Sequence, residues 1–237
     1  MTQNTFLITG ASDGIGAVYA ERLAKRGHDL ILVARRAEKL KALAAQLEKD
    51  HHIAVEVLSA DLSRAEDLEK VEARLREDRR IAGLVNNAGI AGEGAITALD
   101  PAYVTTMINL NILAVTRLAA ALAPRPVADG KGTIINITSV TALMPAAFTA
   151  VYPATKAFVL AFTEALQAQL SPSGVRVQAV LPGITRTAIW EEERLDAIPA
   201  AMVMDVHDMV DAALAGLDLG EALSLIHISE PTRPERI

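Results

Sequence analysis

Tyr152 and Lys156 lie four residues apart, and Ser139 stands thirteen residues before the tyrosine, at the end of the apolar run Gly132-Thr-Ile-Ile-Asn-Ile-Thr-Ser139. A free phenol titrates near pH 10, so ionisation at neutral pH asks for about 4 kcal/mol of preferential stabilisation of phenolate. An ammonium about 4 Å away, at an effective dielectric of about 20, supplies an energy of that order. Positions i and i+4 share a helix face, so the spacing brings the amine to the phenol and is expected to lower its pKa. The chemistry expected of this set is proton transfer to or from an oxygen, with the Ser139 hydroxyl as a second hydrogen-bonding group. The competing reading of Ser139 is a cap at a strand end, with Thr138 beside it as the nearest substitute.

Those residues need a scaffold, and the chain shows one. Short runs rich in Ile, Val and Leu alternate with longer stretches of helical periodicity, the pattern of a parallel sheet covered on both faces. Strands are expected near 5–9, 29–34, 53–58, 82–86, 132–138, 175–181 and 222–226. Helices are expected near 14–26, 37–49, 64–79, 101–123, 151–170 and 206–217, with a shorter one inside 188–200. Gly27 reads as a helix stop, and Asp100-Pro101 as an N-cap followed by Pro at the first helical position. Pro124-Arg-Pro126 followed by Asp129-Gly130 reads as a helix-to-strand connection. The fold class is α/β, a doubly wound parallel sheet of Rossmann-like type, in a single domain over residues 1–224. With 51% hydrophobic residues in 237 positions, one substantial core can be filled.

Composition removes several function classes. Net charge is −6 and no basic cluster is interleaved with aromatics, so no nucleic-acid partner is expected. Glu191-Glu-Glu193 reads as a solvated face. There is no cysteine, which excludes disulfides, thiolate catalysis and thiolate metal sites. His28, His51, His52, His207 and His227 lack ligand spacing, so no metal is expected. The chain enters Phe6-Leu-Ile-Thr9 without a charged leader, and nowhere do eighteen apolar residues run together. The expectation is a soluble cytoplasmic protein with no membrane partner.

The first strand runs into Thr9-Gly10-Ala-Ser12-Asp13-Gly14-Ile15-Gly16 and then a helix. Three glycines there permit a tight turn, close backbone approach to a pyrophosphate and close helix packing, while the helix N-terminus offers free N–H groups. The second strand ends in Arg35-Arg36, where an NAD-binding chain would carry an acidic residue for the ribose. Guanidinium groups at that point suit the 2′-phosphate of NADP, with NAD as the second choice and Asp13 opposing the phosphate by like charge. Asp61-Leu62 and Asn86-Asn87-Ala88-Gly89 follow the third and fourth strands, at carboxyl ends where open α/β sheets bind ligands.

Taken together, the TGxxxGxG turn, NNAG, Ser139 with the YxxxK set, and Pro182-Gly183 resemble a short-chain dehydrogenase/reductase of the single-domain type, over roughly residues 5–221. The resemblance implies Tyr152 as catalytic acid/base, Lys156 lowering its pKa and holding the nicotinamide ribose, and Ser139 on the substrate oxygen. It implies Asn111 as the fourth catalytic residue, anchoring a proton-relay water, with Asn109 as the competing candidate. Pro182, Gly183, Ile184 and Thr187 would meet the nicotinamide end. The implied activity is interconversion of a small-molecule carbonyl and a secondary alcohol, by a homodimer or homotetramer paired through the helices at 101–123 and 151–170. A catalytically poor dinucleotide-binding protein is the alternative.

Within 184–204, which the resemblance makes a lid, Ile189, Trp190, Met202 and Met204 are candidates to line an apolar pocket. Residues 225–237, proline-broken and charged, depart from the family pattern and read as a translated read-through or chimeric end.

Overall fold

In a computed structural model, described for residues 4–92, 95–147, 149–187 and 198–226, the apolar runs form parallel strands of a single sheet. They are β1 (Thr5–Thr9), β2 (Asp29–Ala34), β3 (Val55–Ser59), β4 (Ile81–Asn86), β5 (Gly132–Ile137), β6 (Val175–Pro182) and β7 (Leu223–Ile226). Their order is β3-β2-β1-β4-β5-β6-β7, so the chain crosses from one half of the sheet to the other between β3 and β4. The crossover leaves a crevice between the carboxyl ends of β1 and β4, where open sheets of this class place ligands.

Alternation along each strand fills a core on either face. Phe6 and Ile8 of β1 with Leu30 and Leu32 of β2 point one way, toward α1 (Gly14–Lys25), α2 (Ala37–His51) and the helix Val206–Asp218. Leu7, Ile31 and Val33 point the other way, toward Leu68, Val71 and Leu75 of α3 (Ala65–Glu77) and Leu118 and Leu122 farther along. Because both faces are covered, these strands read as continuous apolar runs.

The helix expected over 101–123 is real but not uniform. It consists of α4 (Pro101–Ile108), a π-helical stretch Asn109–Ala114, α5 (Val115–Leu122) and α6 (Pro124–Asp129), the first capped by the Asp100 carboxylate on Ala102 N at 3.0 Å. Helix therefore occupies Pro124–Asp129, where a connection was expected. Pro124 starts that helix and Pro126 falls in the same first turn, so neither removes a hydrogen bond from within α6 itself. By length and composition the run Pro101–Asp129 would suffice to cross a membrane, but here it packs against α3 and against α7 (Val151–Leu170). A buried Glu72 joins α3 to Arg117 of α5, one oxygen accepting from Arg117 Nη2 at 2.8 Å.

The shorter helix expected inside 188–200 falls mainly on residues outside those described; a 3₁₀ turn covers Ala200–Met202. We number Val206–Asp218 α8. β7 extends through Ile226, and residues 227–237 lie outside the described set.

Candidate active site

The glycine-rich turn is held shut from the neighbouring strand. Asn87 Nδ2 donates to Thr9 O at 3.0 Å and Gly10 O at 3.2 Å, and Thr9 Oγ1 accepts from the backbone N–H of both Asn87 and Ala88. Gly10 sits at φ +65°, and a Cβ on Gly16 would lie 2.5 Å from Gly10 O, so neither position admits a larger residue without displacing the turn. The Asp13 carboxylate caps α1 by accepting from Gly14 N at 2.8 Å.

Above this turn opens a cleft of about 700 Å³ along the carboxyl ends of the strands. It is lined by every residue expected to hold the dinucleotide except Gly16, which acts by letting the turn close. It runs from Arg35 and Arg36 at one end, past Asp61, Leu62 and Gly89, to Pro182, Gly183 and Ile184 at the other. Thr187 closes over Gly14, whose added Cβ would meet it at 3.2 Å. The shape and the donors suit a dinucleotide: a backbone cradle at a helix start for pyrophosphate, and guanidinium groups for a terminal phosphate.

Arg36 folds back on the cradle, giving its Nη2 and Nε to Ser12 Oγ at 3.0 and 3.3 Å and lying 3.5 Å from Asp13 Oδ2. The same oxygen accepts from Lys39 Nζ at 2.9 Å, and this bond is the main reason the Asp13 carboxyl sits below its usual range. Lys39 was not anticipated, although its place three residues after Arg36 puts both on one helix face.

Ser139, Tyr152 and Lys156 meet at the far end of the cleft. Helix α7 carries the last two and is fastened to the sheet by polar contacts. Thr138 Oγ1 donates to Lys156 O at 2.7 Å, and Lys156 Nζ donates to Ile137 O at 3.0 Å. Deeper in, Asn86 Nδ2 donates to Asn136 Oδ1 and Asn136 Nδ2 to Thr163 Oγ1, each at 2.9 Å, a buried polar file across β4, β5 and α7.

Lys156 Nζ lies 5.7 Å from the centre of the Tyr152 ring, so the i, i+4 spacing does bring the pair to one side. The expected lowering of the phenol's pKa is not found. Burial raises it, opposed by a hydrogen bond from Ser139, and burial pushes the Lys156 amine down to about 8. Spacing predicts proximity, whereas the apolar enclosure that penalises both charges depends on packing.

Ser139 makes the strand-end cap considered for it, and it also lines the cleft beside Tyr152 and Lys156. Its oxygen accepts from Thr141 N at 3.2 Å, capping the turn after β5.

Asn111 lies in the π-helical stretch, buried just behind the cleft wall. Its amide is occupied by protein groups: Oδ1 accepts from Ile90 N at 3.0 Å, while Nδ2 donates to Ile90 O at 2.9 Å and to Thr155 Oγ1 at 3.1 Å. Asn109 turns instead toward Ser63 O, 3.5 Å away, and does not line the cleft.

Beyond the tyrosine, the described wall is made of Ile90, Ala91, Gly92, Val140, Thr141 and Thr149, none of them charged. It is braced by Thr149 Oγ1 donating to Gly92 O at 3.0 Å and Tyr103 Oη to Ala91 O at 2.6 Å. Met202 and Met204 do not line it. Met202 is exposed, and Met204 packs on the core while pairing with Thr185 in a parallel bridge. Ile189 and Trp190 lie outside the described residues.

A family model described as short chain dehydrogenase matches residues 4–197. A short-chain dehydrogenase from Sphingobium yanoikuyae, solved in complex with NADPH, superposes with a TM-score of 0.90 at 52% identity, covering 94% of this chain and 87% of that one. The bulky-bulky ketone specific alcohol dehydrogenase from Comamonas testosteroni superposes with a TM-score of 0.89 at 43% identity, covering 99% and 88%. Among curated proteins, the very-long-chain 3-oxoacyl-CoA reductase-A of Danio rerio is 37% identical over 186 residues, 76% of this chain. The chain spans 58% of that relative's length.

Proposed function

The chain belongs to the short chain dehydrogenase family, and from that premise we propose that it is an NADP-dependent oxidoreductase interconverting an uncharged, bulky ketone and its secondary alcohol. The observation that carries this reading is the convergence of Ser139, Tyr152 and Lys156 at one end of a cleft whose other end is built for a phosphorylated dinucleotide. Arg35, Arg36 and the glycine turn would hold NADP, and Lys156 lies where it would meet the nicotinamide ribose. Bound there, the reduced cofactor supplies a hydride to the carbonyl carbon.

The chain's own residues manage the charge that then develops on oxygen. Ser139 donates a hydrogen bond to it, and the Tyr152 hydroxyl delivers the proton. With its pKa raised by burial, the phenol is protonated at neutral pH, the state a proton donor to a carbonyl must have.

The uncharged wall from Ile90 to Gly92 with Val140, Thr141 and Thr149 supports an apolar substrate over one carrying phosphates. NADPH oxidation should be followed with aryl and alkyl ketones of increasing size beside a 3-oxoacyl-CoA. Turnover of bulky ketones is expected, with kcat/KM at least about tenfold above the thioester. Tight NADPH binding with no turnover of any ketone would favour a cofactor-binding protein instead.

Asp13 shares the cations that a 2′-phosphate would need, and Asp13→Asn keeps a cap for Gly14 N while removing the charge. Such exposed pairs are worth at most about 1 kcal/mol each. The variant should bind 2′,5′-ADP roughly threefold to tenfold more tightly and 5′-ADP unchanged, by calorimetry at low salt. Equal effects on both nucleotides would refute the competition.

Self-association is part of the same reading. Ile108, Leu113 and Phe158, exposed by 42%, 42% and 41%, leave apolar area along α4, the π-helical stretch and α7 for a second copy, which light scattering tests.

A further inference from the structure

Thr155 lies between the two halves of the reacting pair, in the third position of the turn from Tyr152 to Lys156, and is 2% exposed. Its hydroxyl has one proton, which goes to Tyr152 O at 2.7 Å. Its oxygen is thereby left as an acceptor, and it accepts from Asn111 Nδ2 at 3.1 Å.

That allocation fixes which way the Asn111 amide faces. With Nδ2 turned to Thr155, the same nitrogen reaches Ile90 O and Oδ1 reaches Ile90 N, so each of these groups has a complementary partner. Flipping the amide would set Nδ2 against the Ile90 N–H and Oδ1 against the Ile90 carbonyl, two mismatches in a buried place. A side chain begun at Gly89 would sit 3.2 Å from Asn111 Oδ1 and 3.5 Å from Lys156 Nζ, so this amide, the Gly89–Ile90 backbone and the amine share one small space.

We propose that Thr155 is a positioning residue for the reaction: its hydroxyl orients the Asn111 amide and so holds the Gly89–Ile90 wall in register with Tyr152 and Lys156. The inference rests on the oxidoreductase reading for its kinetic consequence, and on hydrogen bonding alone for its structural one. Removal of the hydroxyl leaves an Asn111 N–H unpaired in the interior and leaves the amide tethered by the Ile90 backbone alone, with more freedom to shift against it.

Thr155→Val, close to isosteric, should lower kcat for ketone reduction about 10- to 100-fold while 2′,5′-ADP, which reports the distant adenosine end, binds within about twofold of wild type. Thr155→Ser, which keeps the hydroxyl, should stay within about threefold of wild type. In an Asn111→Ala background, Thr155→Val should add less than about threefold, because the residue acts through that amide.

Hydrogen exchange supplies a readout that needs no turnover: the Ile90 amide should exchange at least about tenfold faster in Thr155→Val and unchanged in Thr155→Ser. If Thr155→Val cannot be purified folded, Thr155→Ala carries the same expectations. Wild-type turnover with an equally active Thr155→Val, or a Thr155→Ser as impaired as the valine variant, overturns the inference and leaves the oxidoreductase reading standing. A wild-type chain without ketone turnover sinks that reading instead, and the Ile90 exchange rates then decide the inference by themselves.

Discussion

Tyr152→Phe is expected to lower kcat for ketone reduction by roughly a thousandfold, with the Kd for NADPH changed by less than about threefold. Proton transfer by a positioned side chain contributes about 10²- to 10⁴-fold, and phenylalanine removes the proton while keeping the ring that Lys156 faces. Ser139, the other hydroxyl at this place, accepts from Thr141 N and has no proton acidic enough to substitute.

The pH profile offers a second check. Because burial holds the Tyr152 pKa above that of a free phenol, the pH dependence of reduction from about pH 6 to 9 should come only from Lys156, whose amine titrates at about 8, whereas alcohol oxidation, which needs the phenolate, should climb with pH across that range. Stopped-flow measurement of both directions decides it. A phenylalanine variant within tenfold of wild type would remove Tyr152 from the role of acid.

The second large effect runs against intuition: Lys156→Met should abolish useful turnover and yet make the protein more heat-stable near neutral pH. Lys156 is buried with Ile137 O as its hydrogen-bond partner, and its pKa falls from 10.5 to about 8. Below about pH 8 the amine is charged in folded and unfolded chains alike, and the full penalty for enclosing that charge is present. Between about 8 and 10.5 the folded chain has released the proton while the unfolded chain still holds it, so wild-type stability rises with pH through this window. Above it, both are neutral and the penalty is gone.

The whole shift corresponds to roughly 3 kcal/mol, from which the unpaired Ile137 carbonyl left by methionine subtracts about 1 or 2. The variant should therefore melt a few degrees higher at pH 7, and its advantage should shrink as pH approaches 10. The raised pKa values of Tyr19 and Tyr152 act in both proteins and cancel in the difference. A variant that melts lower than wild type at pH 7 would show that Lys156 is a net stabilising element.

The sheet was legible in the sequence because strands buried on both faces leave unbroken Ile, Val and Leu runs, and because Gly10, Gly14 and Gly16 mark a turn few other residues could make. Arg35, Arg36 and Asn87 were readable from their places at strand ends, the points a doubly wound fold turns toward one crevice. The π-helical stretch was not readable. An extra residue in one turn leaves no mark on composition, so although the family's spacing favoured Asn111 over Asn109, the groups each amide meets could not be read from the helix. Lys39 and Thr155 were missed for a related reason, since each acts through a partner distant in sequence or on another element. The direction of the Tyr152 shift was misjudged because burial belongs to the assembled fold, which an i, i+4 spacing does not describe.

The polar file from Asn86 through Asn136 to Thr163 has an implication for altering this protein. Sliding α7 along the sheet by one residue would strand several amide and hydroxyl groups in a dry interior at once, so intermediate placements are forbidden and the helix behaves as an indexed part. Tyr152 and Lys156 keep their places on it while side chains elsewhere along the cleft, such as Val140 and Thr149, are recut. New substrates should thus be reachable by changing those side chains, provided the Ile90 backbone and its hold on Asn111 are kept.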